Sequence, residues 1–228
     1  AVMGGETTVD QHGPHGRGTA VLKKYPEIVF EEGKFDKNDS TNTYTQAGYT
    51  VTASSQANDV KNAATLYDGK FPDIDTSKTA WQGKINTYDS NGDATSIDTL
   101  TGITGGVGSR NGSYTTLELP HKIKVSRLQL HTRNLTNHTS PGHPGQVYVY
   151  GSNDGSSWTQ IGSHLFTSTP SGPIWQTIDI NSTTPYNYFA LQATSILGTT
   201  GRLSLIDLEW YGYEELATQG DTSVDTTF

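Results

Sequence analysis

Apolar and polar residues alternate over several short stretches of the chain, and a period of two is typical of half-buried β-strands. Tyr114–Leu119 alternates in this way. The next apolar positions, Ile123–Val125, keep one phase, whereas Leu128–Leu130 fall on the other. The phase changes near Ser126, which predicts a β-bulge at that residue.

Turn residues separate further short apolar runs. Gln146–Tyr150 and Ser157–Ile161 flank the turn sequence Gly151–Ser156 and predict a β-hairpin. The only predicted helix is short and lies within Gln56–Tyr67. Other predicted strands are Ile174–Ile180, Tyr188–Thr194 and Leu203–Tyr211, and the long predicted loops are Lys84–Ser113 and Asn134–Gly145. Spaced strands with almost no helix indicate an all-β, antiparallel β-sandwich with loops at its ends.

This pattern divides the chain into three parts. Residues 1–45 are predicted to be an N-terminal arm, residues 46–213 the β-sandwich, and residues 214–228 a polar tail. An arm of polar composition needs a surface to order it, which is either its own sandwich or a neighbouring subunit. The apolar run Ile28–Phe30 favours strand addition to a sheet edge, so we expect a homo-oligomer or a larger assembly.

Composition excludes several classes of protein. The 228 residues include 15 basic and 23 acidic side chains, a net charge of −8, so nucleic acid is not an expected partner. The chain has no cysteine, which excludes disulfides, zinc–thiolate sites and cysteine nucleophiles. No stretch approaches the roughly 18 apolar residues of a membrane-spanning helix.

Five blocks of sequence, in their order along the chain, resemble the discoidin family (coagulation-factor type C domains). The blocks are Val51–Trp81, Thr116–Leu128, Val147–Trp158, Tyr188–Leu191 and Leu205–Gly212. The resemblance covers about Tyr49–Tyr213 and implies a galactose-binding-like jelly roll, a fold shared with carbohydrate-binding modules. Relatives with this fold bind glycans, lipids or proteins, so the fold alone sets no function. This chain is longer than the family at Lys70–Lys78 and Lys84–Arg110, where binding loops fall.

The resemblance also implies a structural calcium ion, where the Asp68 loop meets the last strand. Asp68, Thr79 and Asp207 match the side-chain ligands by position, and Asp73 lies in the longer stretch as a further candidate. Calcium takes six to eight oxygen ligands, which carboxylates, hydroxyls and backbone carbonyls supply. The alternative is a plain turn, in which the Asp68 carboxylate bonds its own backbone.

A glycan site is implied just after a core strand. Sugars are held by an aromatic ring face and by polar side chains that bind adjacent hydroxyls. The candidate polar ligands are His131, Arg133, Asn134 and His138, and the candidate stacking residues are Tyr88 and Trp175. The alternative is that His131 and Arg133 are outward strand residues and that Trp175 covers the core. Trp81, Trp158 and Trp210 are predicted to pack in the core.

The chain has no nucleophile-elbow, zincin or phosphate-loop motif. We therefore expect a protein that is not an enzyme: a glycan-binding or adhesion module in an extracellular or virion assembly, such as a capsid, tail or surface fibre. Its expected partners are a cell-surface glycan and neighbouring subunits. Two alternatives stay open: a structural subunit without sugar affinity, and a small glycoside-active enzyme with two facing carboxylates.

Overall fold

The computed structural model describes residues 20–70, 80–132, 142–169 and 175–214. In these residues the chain forms β-strands and one 3-10 helix, Ala63–Tyr67, where the sequence predicts a short helix. The Asn62 side chain caps this helix by accepting a hydrogen bond from the Ala64 N–H. The strands are β1 (Lys23–Tyr25), β2 (Asp36–Asn38), β3 (Thr43–Gln46), β4 (Tyr49–Ala53), β5 (Trp81–Gln82), β6 (Thr99–Ile103), β7 (Gly108–Asn111), β8 (Tyr114–Thr132), β9 (His143–Pro144), β10 (Gln146–Ser152), β11 (Thr159–Leu165), β12 (Trp175–Asp179), β13 (Tyr186–Ala193), β14 (Ile196–Leu197) and β15 (Ser204–Glu214).

The strands form two antiparallel layers that share the long strand β8. One layer has the order β11-β10-β13-β8-β4-β3-β2; in the other, β8 lies between β12 and β15. β1 and β5 pair with β15 as well. The change of layer falls around Pro120, which has no N–H to donate to a ladder. Up to Glu118, β8 pairs with β4 and β13. Ile123 still pairs with Tyr186 of β13, and from this residue on β8 pairs with β15. This is the predicted antiparallel jelly-roll sandwich.

The core lies between the two layers and is built largely on the alternation seen in the sequence. Leu117, Ile123 and Leu128 of β8 are fully buried there, together with Trp81 and Trp210. The predicted bulge is confirmed. Opposite β15, Arg127 pairs with Tyr211 and Val125 pairs with Gly212, so Ser126 is the extra residue.

Both ends of β8 lie at the same end of the sandwich, which we call the loop end. Gly83 lies between these two ends. Its N–H donates to the carbonyl of Leu203 (3.0 Å), which precedes β15, and its Cα faces Ser113, which directly precedes β8. A Cβ at Gly83 would lie 2.8 Å from the Ser113 hydroxyl oxygen, so a larger residue requires a shift. Thr132, at the other end of β8, pairs with Leu205. The loop end therefore holds the first residues of β8, β12 and β15 and the last residues of β4, β5 and β8.

Residues 20–45 belong to the predicted arm, and they pack on the chain's own sandwich. β1 pairs with β15, and β2 and β3 extend the first layer, with β3 running across the predicted boundary at residue 46. Phe30 is buried, and its N–H donates to the Tyr67 carbonyl (2.9 Å). The expected strand addition of Ile28–Phe30 to a neighbouring subunit does not hold for this run, because Ile28 and Phe30 pack on their own core.

The stretch Lys84–Ser113, predicted as a loop, contains the antiparallel hairpin of β6 and β7. The hairpin lies on the outer face of the first layer, where it forms a second apolar cluster of Leu100, Ile103, Tyr150, Trp158 and Ala190. Gly102 has φ +77°, and a Cβ there would overlap the carbonyl oxygen of Ser156 in the β10–β11 turn. Glycine therefore sets how closely the hairpin and the turn approach each other.

Among the described residues, no helix has the length and apolar character needed to cross a membrane.

Candidate functional site

A buried carboxylate fixes the loops of the loop end. One oxygen of Asp98, Oδ2, accepts hydrogen bonds from the hydroxyls of Ser54 (2.8 Å), Ser55 (2.7 Å) and Ser113 (3.0 Å). Asp98 itself is 5% exposed. Three chain segments therefore meet at one charged oxygen, and hydrogen bonds to a charged group are stronger than those between neutral groups.

Trp175 and His131 form an aromatic pair at this end. They are direct partners in the β8–β12 register, and their rings meet edge to face with centroids 5.0 Å apart. Trp175 is 36% exposed, whereas the other tryptophans, Trp81, Trp158 and Trp210, are between 0% and 4% exposed. Burial lowers the pKa of His131, because it disfavours the imidazolium ion. A neutral imidazole offers one donor and one acceptor nitrogen, which suits recognition of hydroxyl groups.

The other predicted sugar ligands have different positions. Tyr88 is 3% exposed, and its hydroxyl donates to the Ala193 carbonyl (2.8 Å) and accepts from the Ser113 N–H (3.1 Å). Because its ring is buried, Tyr88 has no face on which a sugar could stack, and the prediction that it is a stacking residue is wrong. Its hydrogen bonds connect loop residues instead. Arg133, Asn134 and His138 lie outside the described residues.

An open hollow at the loop end brings together residues that the sequence did not single out. Its volume is about 510 Å³, and its polar lining includes Asn42, Gln56, Lys84 and Arg202. No acidic side chain lines it among the described residues. Lys84 and Arg202 each follow a glycine, which is only a weak sign of a site in the sequence. The two cations line one hollow because β5 pairs with β15, which is a long-range contact.

The predicted ion site has a buried carboxylate at its centre. Asp207 is 3% exposed, and burial raises its pKa to about 9, with further increases from the negative charges of Glu209 and Asp68. Lys24 opposes this shift and contacts the carboxylate of Glu209 (3.1 Å). Burial also raises the pKa of Asp68. Thr79 and Asp73, the other predicted ligands, lie outside the described residues.

Asp207 and Asp68 carry the carboxylate oxygens that calcium prefers, and the negative charges of Asp68 and Glu209 raise the pKa of Asp207. Among the described residues, these three carboxylates do not bring their oxygens within 4.8 Å of one another. The alternative turn bond is present too, because the Asp68 Oδ1 atom accepts a hydrogen bond from the Lys70 N–H (2.9 Å). That bond occupies one of the two carboxylate oxygens, and the Lys70 ammonium lies 3.8 Å from the other, Oδ2.

A second group of titratable side chains lies at the opposite end of the sandwich. Glu27, His121 and Glu214 bring their ligand atoms within 4.8 Å of one another. The Lys23 ammonium donates to Glu214 at 2.6 Å and lies 3.6 Å from Glu27. The chain's own lysine therefore already opposes the charge of this group.

The chain is similar in structure to several bacterial protein domains, among them carbohydrate-binding modules. One is the family 32 carbohydrate-binding module of Clostridium perfringens NanJ, solved with galactose: 17% identity, 72% of this chain, 94% of that chain, TM-score 0.48. Another is the C-terminal domain of a Bacteroides fragilis chitobiase: 16% identity, 76% of this chain, 99% of that chain, TM-score 0.49. The sequence matches no family model and no curated protein. At TM-scores below 0.5 these similarities assign no ligand to this chain.

Proposed function

We propose that this protein is a non-catalytic glycan-binding module that holds sugar at the loop end. The observation that carries the proposal is the position of Trp175. It is the one tryptophan with an exposed ring, it lies on the strand that borders β8, and it contacts His131. An exposed indole beside a neutral imidazole supplies the apolar face and the polar groups that sugar binding requires.

Further candidate sugar ligands lie near this pair in the sequence. Arg133 and Asn134 follow directly after β8, and His138 lies four residues beyond Asn134. Guanidinium and amide groups form paired hydrogen bonds with adjacent hydroxyls, which fixes the orientation of a sugar ring. The hollow with Lys84 and Arg202 lies at the same end and offers further donors to a longer glycan.

We further propose a structural calcium ion held by Asp207 and Asp68, with Thr79 and Asp73 as additional ligands. Calcium would supply fixed positive charge near Asp207, whose pKa is raised in part by the negative charges of Glu209 and Asp68. In this proposal Asp207 would bind the ion from β15, and Asp68 would bind it from the end of the 3-10 helix. The ion's role in this proposal is to fix loops, with no part in chemistry.

We place the module on the surface of a cell or a virion, within a larger assembly. In support, the first layer ends in β2 and β11, each of which pairs on one side only within the described residues. β11 exposes Leu165 (59%) along such an edge, and an open edge is where a neighbouring subunit adds a strand. The second candidate, a purely structural subunit, shares this edge and predicts no sugar affinity.

A glycan array tests the proposal. We expect the wild-type protein to bind a subset of glycans and Trp175→Ala to lose about tenfold or more in affinity for them, as is usual for a central aromatic contact. Leu165→Ala is the matched control, because it also removes an exposed apolar side chain but lies on β11. An array without hits, in which all three proteins behave alike, contradicts the proposal and favours the structural subunit.

A further inference from the structure

The outer face of the first layer carries a cleft that the loop-end site does not use. It has a volume of about 390 Å³ and lies between the β6–β7 hairpin and the β10–β11 turn. Its floor is set by register, because Thr52 pairs with Thr116 and Thr50 pairs with Glu118. Directly opposed residues of antiparallel strands project from the same face, so three threonines and one carboxylate form a flat polar floor.

Neighbouring strands hold this floor in place. The hydroxyls of Thr52 and Thr50 contact those of Thr43 (3.0 Å) and Thr45 (3.2 Å) in β3. On the other side, Tyr188 is the cross-strand partner of Glu118, and its hydroxyl donates to Glu118 Oε1 at 2.7 Å. The floor is therefore preorganised, which lowers the entropic cost of binding a ligand.

Aromatic side chains line the cleft above this floor. Tyr188 and Trp158 belong to the lining, and Tyr114 contributes a third ring. Trp158 packs in the apolar cluster of the hairpin, and its backbone N–H donates to the Gly102 carbonyl (2.8 Å). Rigid aromatic surfaces next to a polar floor match a ligand that has apolar faces and hydroxylated edges.

Several polar atoms of the lining have no hydrogen-bond partner among the described residues. They are the Thr116 hydroxyl, the Tyr114 hydroxyl, the Trp158 indole N–H and the Glu118 Oε2 atom. A ligand with several donors and acceptors would satisfy them, whereas an apolar ligand would leave them without partners, at a cost. An oligosaccharide combines these donors and acceptors with apolar ring faces.

The negative charge at the cleft indicates which class of sugar would bind there. Glu118 is the one charged side chain among the described residues that line the cleft, and the adjacent turn carries a second acid, Asp154. We propose that this cleft is a second glycan site, selective for amine-bearing oligosaccharides, with Glu118 as the residue that contacts the ammonium group. Acidic sugars are excluded by the same carboxylate. This inference goes beyond the loop-end function and stands without it.

The test uses three short probes: the glucosamine trimer, which is cationic, cellotriose, which is neutral, and trigalacturonate, which is anionic. Each is titrated into the full chain carrying Trp175→Ala, so that loop-end binding is removed. Amide chemical shifts at Thr50, Thr116 and Gly155 report on the cleft. We expect the glucosamine trimer to bind, cellotriose to bind more weakly and trigalacturonate not to bind.

Two further variants decide the role of the carboxylate. Glu118→Gln is expected to weaken the glucosamine trimer by about tenfold or more, the usual value of a hydrogen bond to a charged group, and to affect cellotriose less. Asp179→Asn, which removes an exposed acid from β12 in the other layer, is the control and should change neither. Thr116→Val tests the floor independently, should Glu118→Gln fail to fold.

The outcomes separate the two sites. Binding that survives Trp175→Ala and weakens with Glu118→Gln supports the cleft, whatever happens at the loop end. Absence of cleft shifts with all three probes overturns the cleft proposal, even if array hits establish the loop end. The proposal is also overturned if the glucosamine trimer shifts the cleft amides equally in Glu118→Gln and in Asp179→Asn, because the Glu118 carboxylate then does not contribute to selectivity.

Discussion

Asp207 and His131 lie directly opposite each other in the register of β15 and β8. His131 in turn is the cross-strand partner of Trp175 on β12. One row of residues across three strands therefore runs from the buried carboxylate of the proposed ion site to the exposed indole of the proposed sugar site. Opposed side chains in antiparallel strands have Cβ atoms about 5 Å apart. The two proposed sites are therefore neighbours, and an ion that fixes Asp207 also steadies the strand that carries His131.

Calcium is expected to stabilise the chelator-treated protein. If calcium reaches about 100 times its dissociation constant, mass action adds about 2.7 kcal/mol to the free energy of unfolding, or roughly 5 °C or more in Tm. Calorimetry with and without millimolar calcium measures this shift. Asp207→Asn should abolish it, and Asp179→Asn should retain it. Because of the shared row, removal of calcium should also weaken glycan binding; a Tm that does not respond to calcium in the wild type speaks against the ion.

Burial of His143 should destabilise the fold as the pH is lowered below about 6.5. His143 is 1% exposed, and burial lowers its pKa below the unfolded value of about 6.5. Below that pH the His143 imidazole binds a proton in the unfolded chain but not in the folded chain, so the free energy of unfolding falls until the pH reaches the folded pKa. His143→Phe keeps a ring against Phe166 and does not titrate. Its Tm should fall less than that of the wild type between pH 7 and pH 5. His131, also with a lowered pKa, adds to this slope, whereas Asp207, whose pKa is raised to about 9, gives a slope of the opposite sign in both proteins. Identical slopes for the two proteins would exclude His143 as a source.

The β6–β7 hairpin offers a matched pair of glycine substitutions. Gly102 and Gly105 have similar φ angles of +77° and +75°, but only Gly102 faces another backbone; nothing lies within 4 Å of a Cβ at Gly105. Gly105→Ala should lower the free energy of unfolding by about 1 kcal/mol, through backbone strain alone. Gly102→Ala should cost more, because the hairpin must also move away from Ser156. Urea denaturation measures both, and equal losses would show that the contact is not tight.

Asp98 should be a major determinant of stability. Asp98→Ala removes the acceptor of three serine hydroxyls, of which those of Ser55 and Ser113 are buried, and is expected to lower the free energy of unfolding by about 3 kcal/mol or more. Asp98→Asn keeps an oxygen acceptor and should cost less. If the two substitutions cost the same, the hydrogen-bond network is not what holds the loop end.

The parts of the fold that the sequence predicts are those decided by local pattern. The alternation in β8, the bulge at Ser126 and the β10–β11 hairpin follow from period and turn residues. The β6–β7 hairpin was not predicted, because threonine and glycine fill much of it and the docking of its two main apolar residues depends on Trp158, more than 50 residues away. The burial of Phe30 likewise depends on Tyr67.

The sites show the same division between local and long-range information. The position of Trp175 at a strand end can be read from the sequence, whereas its pairing with His131 needs the register. Tyr88 has the polar neighbours of a loop residue, and its burial is decided by Ala193 and Ser113. The hollow and the cleft each bring together segments that are far apart in the chain, and no local pattern marks them.

The most direct test of glycan binding at the loop end is an NMR titration of the isotope-labelled wild-type protein with its best array ligand. We predict that amide shifts concentrate at His131, Trp175, Lys84 and Arg202 and that they disappear in Trp175→Ala. A ligand that binds without shifting any of these four amides would contradict the account.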